Sequence, residues 1–295
     1  MSIKIIDGKA IAADLKKEIA AQVAAMIDAE NEAPHLAAII VGEDAASQTY
    51  VASKERACHE VGITSTIYRM PAVASEKELI EMVDFLNNDP DIDGFIVQLP
   101  LPEHIDANKI IERIDPAKDV DGFHPRNIGL MQLGLPTYLP ATPFGIVELL
   151  KRSNVKVNGK HVVVLGRSNI VGTPVSVLLS RKSEYGNATV TLCHSQTENL
   201  EEITKQADIL IAAIGKPQFV KASMVKKGAV VIDVGIHRIE DITTEKGYRL
   251  VGDVDFDDVV SEAGRITPVP GGVGPMTIVA LLHNTLIASK KEIYK

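Results

Sequence analysis

The chain of 295 residues contains no tryptophan, and aromatic residues of all kinds make up only 4% of it. An aromatic side chain near a candidate cleft is therefore informative. Cysteine is almost as scarce. Cys58 and Cys193 stand far apart, and neither has the short spacing of a metal knuckle. That pattern excludes a disulfide framework and points to two reduced thiols. His59-Glu60 lacks the second histidine of a zinc helix, and the chain has no Walker A loop and no G-x-S-x-G elbow. No catalytic metal is expected. No apolar run is long enough to span a bilayer, and the segment Met1 to Gly8 has neither a long apolar stretch nor a cleavage site. The expectation is a soluble cytoplasmic protein. Positive charge is also in deficit, with a formal net charge of −8. This argues against nucleic acid or an anionic membrane as partner. It leaves small anions open, because a few local cations and backbone N–H groups suffice to hold a phosphate.

Hydrophobic residues make up 45% and charged residues 24%, an ordinary balance for a globular protein. Their order is more telling. Ile11, Leu15, Ile19 and Val23 recur every four residues, which predicts a helix from Asp7 to about Glu30. His35 to Val41 is a short apolar run ended by Gly42, a buried strand. Ala45 to Val61 is helical and is stopped by Gly62. Ile63 to Tyr68 is a strand, Ser75 to Asn87 a helix with a capping box at Ser75 and Glu78, and Gly94 to Leu99 a strand closed by Pro100 and Pro102. After Pro140 a second series starts. Thr142 caps a helix running to about Arg152, with Pro143 at its first position. Strands are expected at His161 to Leu165, Thr189 to Cys193, Asp208 to Ile214 and Val230 to Val234. Helices are expected at Val171 to Ser180, Asn199 to Gln206 and about Met276 to Lys290. Strands alternating with helices predict an α/β fold with parallel sheets.

The second series opens with Val162-Val163-Val164-Leu165-Gly166-Arg167-Ser168-Asn169-Ile170-Val171-Gly172. Strand, glycine turn, helix is the start of a dinucleotide-binding unit. Gly166 lets the chain leave the strand sharply, and Gly172 allows close approach. The spacing departs from G-x-G-x-x-G, since Ser168 takes the place of the second glycine. An NAD site commonly has an acid at the end of the next strand for the ribose hydroxyls. Here that end reads Cys193-His194-Ser195, with no acid, while Arg167 lies within reach of a 2′-phosphate. The plainer alternative is a solvated arginine and a serine that caps the next helix.

The first series carries other polar signals. Tyr50 and Lys54 are four apart on one helix face. Together they suit stacking of a planar ligand and proton transfer by a desolvated amine, or else are a half-exposed ring and a surface lysine. Gln98 is a polar residue in an apolar strand, followed by Leu99-Pro100. It is either a ligand group at a strand's carboxyl end or a core glutamine bonded to backbone. Asp121 beside Gly122 is a turn residue by default; its carboxylate also suits the N–C–NH₂ edge of a pterin. Pro270-Gly271-Gly272-Val273-Gly274-Pro275 fixes an irregular backbone before the last helix, as a ligand loop or an interdomain connection.

Taken in order, Tyr50…Lys54, Gln98 to Pro102, Lys118 to Phe123, Gly166-Arg167-Ser168 with Val171-Gly172, Cys193-His194-Ser195 and Pro268 to Thr277 closely resemble the bifunctional methylenetetrahydrofolate dehydrogenase/methenyltetrahydrofolate cyclohydrolase family. Ala141 stands where that family often has cysteine, and no assigned role falls on it. The resemblance implies two α/β domains. One is a folate domain over residues 1–140 completed by 270–295, with the C-terminal helix returning to it. The other is a Rossmann-type NADP domain over 141–269. It further implies a homodimer, tetrahydrofolate derivatives as substrates and NADP as cofactor. Lys54 is then the acid/base or polarising group, Gln98 its partner, Tyr50 the stacking ring and Asp121 the pterin anchor. Leu99, Pro100, Pro270, Gly271, Gly272 and Gly274 help to bind folate, and Gly166, Arg167, Ser168, Val171, Gly172, His194, Ser195 and Ile232 bind the dinucleotide. Two competitors remain: a dehydrogenase resembling shikimate dehydrogenase, and a non-catalytic dinucleotide-binding protein. The first would use Lys and Asp as acid/base and act on a hydroxy acid; the second does not call for Tyr50, Lys54, Gln98 and Asp121 together.

Overall fold

The fold was analysed in a computed structural model that describes residues 4–244 and 247–294. Met1 to Ile3, the first residues of the leader reading, lie outside that range. In chain order the strands are β1 (Lys4–Ile5), β2 (His35–Val41), β3 (Thr64–Met70), β4 (Gly94–Val97), β5 (His161–Leu165), β6 (Thr189–Cys193), β7 (Ile209–Ala212), β8 (Val230–Asp233), β9 (His237–Glu240), β10 (Tyr248–Val251) and β11 (Arg265–Ile266). The helices are α1 (Gly8–Asp28), α2 (Ala45–Val61), α3 (Glu76–Asn88), α4 (Ala107–Arg113), α5 (Pro125–Leu133), α6 (Ala141–Arg152), α7 (Gly172–Ser180), α8 (Leu200–Thr204), α9 (Phe256–Val259) and α10 (Gly274–Ser289). Among the described residues no helix is long and apolar enough to cross a membrane.

The chain divides into two compact units. One comprises Met1–Ala12 and Thr142–Thr277, the other Ala13–Ala141 and Ile278–Lys295. The division departs from the expected boundaries at both ends. β1 pairs in parallel with β11, so the N-terminal strand extends the sheet of the later unit. A two-residue strand carries no periodicity, so the sequence alone could not have assigned it.

The later unit is built on a six-stranded sheet in the order β1-β11-β8-β7-β5-β6, all pairs parallel. β7 and, after His161, β5, at its middle, are continuous runs of buried aliphatic residues. That is the signature of strands covered on both faces. Val163, Leu165, Leu210, Val231 and Ile266 lie in one apolar cluster with Val220 and Val259. Each such side chain contributes roughly 1.5–3 kcal/mol when taken out of water. A short antiparallel pair, β9 with β10, belongs to the same unit.

The other unit has a three-stranded parallel sheet in the order β3-β2-β4. Its central strand is buried along nearly all its length. Ala37, Ile39, Phe95 and Val97 pack with Leu79, Val83 and Leu86 of α3. α3 starts at a reciprocal capping box between Ser75 and Glu78. α2 ends at Gly62, whose φ of 82° only glycine adopts without strain, and whose N–H donates to the carbonyls of Cys58 and His59. Asn284 of α10 donates to the carbonyls of Val120 and Leu139, at 2.8 and 3.0 Å, tying the C-terminal helix into this unit.

Candidate functional site

Two groups of expected residues are assembled, one in each unit. In the three-stranded unit, Lys54 is 8% exposed on a helix that also carries exposed positions such as Ala52 and Arg56. Its Nζ donates to Gln98 Oε1 at 3.1 Å and sits 4.9 Å from the centre of the Tyr50 ring. The Gln98 amide is oriented by its second contact, Nε2 donating to the carbonyl of Leu99 at 2.6 Å. That leaves its oxygen for Lys54, an ammonium having donors only. Gln98 follows directly on β4, and its own N–H donates to the Ile39 carbonyl of β2. The strand pairing thus fixes the backbone that carries the amide. Leu99 is half-buried and Pro100 exposed, and the peptide between them is cis.

Burial holds Lys54 below the ordinary lysine pKa, and the nearby carboxylate of Asp121 opposes that shift. Asp121 is pushed up by desolvation, with Lys54 pulling the other way. Burial thus disfavours the charged form of each group while each favours the charged form of the other. Burial pushes the Cys58 thiol up to about 12, so it stays an unreactive neutral neighbour.

Asp121 is held by residues that sequence reasoning missed. Asp119 accepts the N–H of His124 at 2.7 Å and Asn127 Nδ2 at 2.8 Å, closing the turn around Asp121. Gly122 has φ 73°, and a Cβ there would lie 2.8 Å from the backbone of Leu139 and Pro140. Asn284 grips Val120 on the other side. A buried asparagine in an apolar C-terminal helix was the available signal, of the same kind that exposed Gln98.

In the six-stranded unit, Leu165, Gly166, Arg167, Ser168, Cys193, His194 and Ser195 border a cavity of about 300 Å³ at the carboxyl ends of β5 and β6. Ala213, Ile214, Lys216 and Phe219, beyond β7, complete its wall. The carboxyl edge of a parallel sheet is where such folds place ligands. Among the described residues the lining has two cations, Arg167 and Lys216, and no carboxylate. Lys216 and Phe219 were not anticipated, although they follow an apolar strand in the same way as Gly166 and His194.

The glycine turn explains its own spacing. A Cβ on Gly172 would overlap the carbonyl of Gly166, and one on Gly166, at φ 106°, would overlap the carbonyl of Ala213. Ser168 folds back as a cap, its Oγ accepting from the N–H of Val171 at 3.2 Å and of Gly172 at 3.4 Å. The serine in the second glycine's place therefore closes the helix start. Val171 and Gly172 lie at that start and do not border the cavity. Ile232 does not border it either. It is fully buried in β8 and paired with Ile211, so its side chain belongs to the core. Pro270, Gly271, Gly272 and Gly274 lie in this unit too, where the Gly271 carbonyl accepts the N–H of Lys9 at 3.1 Å.

A cavity with a Cβ-free cradle, two cations and no acid suits a dinucleotide carrying an extra phosphate. Among the described residues no cluster of His, Cys, Asp and Glu could hold a metal ion.

Comparison with known proteins agrees with both halves of this geometry. The description "Tetrahydrofolate dehydrogenase/cyclohydrolase, catalytic domain" matches residues 6–121, and "Tetrahydrofolate dehydrogenase/cyclohydrolase, NAD(P)-binding domain" matches 140–293. The chain belongs to the tetrahydrofolate dehydrogenase/cyclohydrolase family. It is 57% identical over 287 residues to the bifunctional protein FolD of Porphyromonas gingivalis, covering 97% of both chains. Among solved structures it resembles the bifunctional FolD methylenetetrahydrofolate dehydrogenase/cyclohydrolase of Campylobacter jejuni, with a TM-score of 0.92, 44% identity and coverage of 99% and 100%. It also resembles the Trypanosoma brucei enzyme, complexed with NADP and an inhibitor, with a TM-score of 0.93, 39% identity and full coverage of both chains. The two α/β domains of the family, one catalytic and one NAD(P)-binding, are thus both present.

Proposed function

We propose that this protein is a bifunctional one-carbon folate enzyme. It oxidises 5,10-methylenetetrahydrofolate to 5,10-methenyltetrahydrofolate with NADP, then hydrolyses that product to 10-formyltetrahydrofolate. The observation that carries the reading is the buried Lys54 amine, bonded to Gln98, beside the Tyr50 ring and within the field of Asp121. A protein that only binds a dinucleotide has no use for such an amine. The family match favours this reading over one resembling shikimate dehydrogenase.

Oxidation asks little of acid/base chemistry. The reacting carbon lies between two nitrogens whose lone pairs stabilise the cation left behind. Bound NADP supplies the hydride acceptor, and the chain's task is to orient the two partners. Gly166, Arg167, Ser168, His194 and Ser195 are assigned to holding the dinucleotide, Arg167 pairing with its 2′-phosphate. Val171 and Gly172 shape the turn that supports them.

Hydrolysis asks more. Water adds to the methenyl carbon, a proton leaves that water, and a ring nitrogen is protonated as its bond to the carbon breaks. The Lys54 amine takes the first proton and returns one to the nitrogen, while the hydroxyl of the adduct gives up the second as the formyl C=O forms, so that the step nets one proton released. Gln98 aligns the amine through Oε1. Tyr50 stacks on the planar substrate, and Asp121 accepts hydrogen bonds from the pterin edge. Leu99 and Pro100 wall the folate site, and the Pro270, Gly271, Gly272 and Gly274 loop is assigned to folate by family resemblance. The Lys54 unit is taken as the folate domain and the six-stranded unit as the NADP domain. A cytoplasmic homodimer without nucleic-acid or membrane partners completes the reading.

The test is to mix purified protein with methylenetetrahydrofolate and either NADP or NAD, following reduced cofactor and methenyl compound together. Reduced NADP without methenyl accumulation supports both activities. Accumulating methenyl compound leaves a dehydrogenase alone, and no reduction of either cofactor rejects the reading.

A further inference from the structure

Behind the dinucleotide cavity lie two carboxylates to which the reactions above give no role. Asp253 is fully buried and Asp233 is 3% exposed. Asp253 Oδ2 accepts the backbone N–H of Ile214 at 2.7 Å and of Gly215 at 3.0 Å. Its Oδ1 meets His237 Nε2 at 2.8 Å. Asp233, the last residue of β8, holds the Asp253 backbone in turn. Its Oδ1 accepts the N–H of Asp253 at 2.9 Å and of Gly235 at 3.0 Å, and its Oδ2 accepts that of Val254 at 3.0 Å. Two glycines let the backbone close on these groups. A Cβ on Gly235 would come 2.5 Å from Asp253 Oδ1, and one on Gly252 would overlap the Asp233 carboxylate.

Asp253 does not border the cavity, but the segment it grips does. Ile214 and Lys216 form the wall beyond β7. A loop leaving a strand end has lost its ladder partners, so its N–H groups need acceptors from elsewhere. Here one ionisable side chain supplies both, from a sequence position 38 residues beyond Gly215. Losing the acceptor leaves these two backbone donors without their protein partner.

We propose that Asp253 is the positioning residue of the dinucleotide cavity: it fixes the Ile214–Lys216 wall, with His237 and Asp233 fixing Asp253. The inference rests on the dinucleotide-binding reading. It makes cofactor affinity, and not folate affinity, the quantity that depends on this carboxylate. It also makes the amide isostere a functional replacement, because an amide oxygen can accept both N–H groups while its NH₂ faces His237.

The experiment measures equilibrium binding of NADP and, separately, of tetrahydrofolate to the wild-type chain, Asp253→Ala and Asp253→Asn. Each variant is first shown to be folded by circular dichroism. Asp253→Ala is expected to raise the NADP Kd about tenfold or more while leaving the tetrahydrofolate Kd within about twofold. Asp253→Asn is expected to stay within about threefold of wild type for both. An unchanged NADP Kd in Asp253→Ala, an equal loss for both ligands, or an Asn variant as weak as the Ala variant overturns the proposal. If Asp253→Ala does not fold, amide hydrogen exchange of the cofactor-free wild type decides. Ile214 and Gly215 should be protected like the β7 amides, and rapid exchange there overturns the proposal. A wild-type chain that binds tetrahydrofolate but no NADP rejects the underlying dinucleotide reading.

Discussion

The dinucleotide cavity and the Lys54 cluster are made of different materials. Around the cavity the shaping is done by backbone: Gly166 and Gly172 touch carbonyls that any Cβ would overlap, Ser168 caps the helix, and Asp253 holds a bare loop. Around Lys54 it is done by side chains: an amine, an amide, a phenol ring and a carboxylate set one another's position and charge. The contrast follows from what each site has to do. A hydride acceptor brings its own chemistry and needs only to be held. A hydrolysis needs protons moved, and only titratable side chains move them.

This comparison can be broken at several points. The largest effect is expected from Gly172→Ala. Its new methyl group meets the Gly166 carbonyl, a clash with backbone that no rotamer relieves. Overpacking of this kind costs about 1–3 kcal/mol. Thermal unfolding should show a clear fall in Tm, and NADP titration an affinity loss of roughly tenfold or more. A variant as stable and as tight as wild type would mean that the turn is less closed than described. Next comes Arg167→Ala. Loss of one charge-assisted contact to phosphate is worth about 1.5–3 kcal/mol. The ratio of kcat/KM with NADP to that with NAD should fall by roughly tenfold to a hundredfold, with the NAD value little changed. An unaltered ratio would move the phosphate contact elsewhere, Lys216 being the other cation of the lining.

Gln98→Ala should act more mildly and on the other site. It removes the acceptor at 3.1 Å from Lys54 Nζ, so cyclohydrolase kcat should fall by roughly tenfold while NADP affinity is kept. A loss of NADP affinity instead would blur the division of labour. The smallest effect, and the sharpest in sign, concerns pH. Asp121 opposes the downward shift of the Lys54 pKa, because a carboxylate favours the ammonium. Asp121→Asn removes that opposition, so the Lys54 ionisation in the cyclohydrolase pH profile should move to lower pH. Movement to higher pH would contradict the assignment.

How far the sequence revealed these sites depends on the same contrast. Periodicity located α1, β2, α2, α3 and β5 to within a few residues, because long amphipathic helices and buried strands leave a regular trace. The helix after Pro140 begins at Ala141, one residue before the expected cap at Thr142. β1, β11 and α9 span two to four residues each, too few for any period to register, while α8 falls inside the helix expected at Asn199 to Gln206. Gln98 stood out as a polar residue in an apolar strand and Tyr50 and Lys54 by their four-residue spacing, and the structure brings the three together. The Ile232 side chain lies in the core. Asp253 was missed because the backbone groups it holds lie far along the chain, whereas Asn284 left a signal, a polar residue in an apolar helix, that went unused.

The most direct measurement compares wild type with Lys54→Met in the two activities side by side, under conditions where both chains are shown to be folded. The account predicts that Lys54→Met abolishes hydrolysis of methenyltetrahydrofolate while oxidation of methylenetetrahydrofolate survives at a smaller loss, so that methenyl compound accumulates as NADP is reduced. Equal loss of both activities in a normally folded variant would contradict the separation of the two tasks.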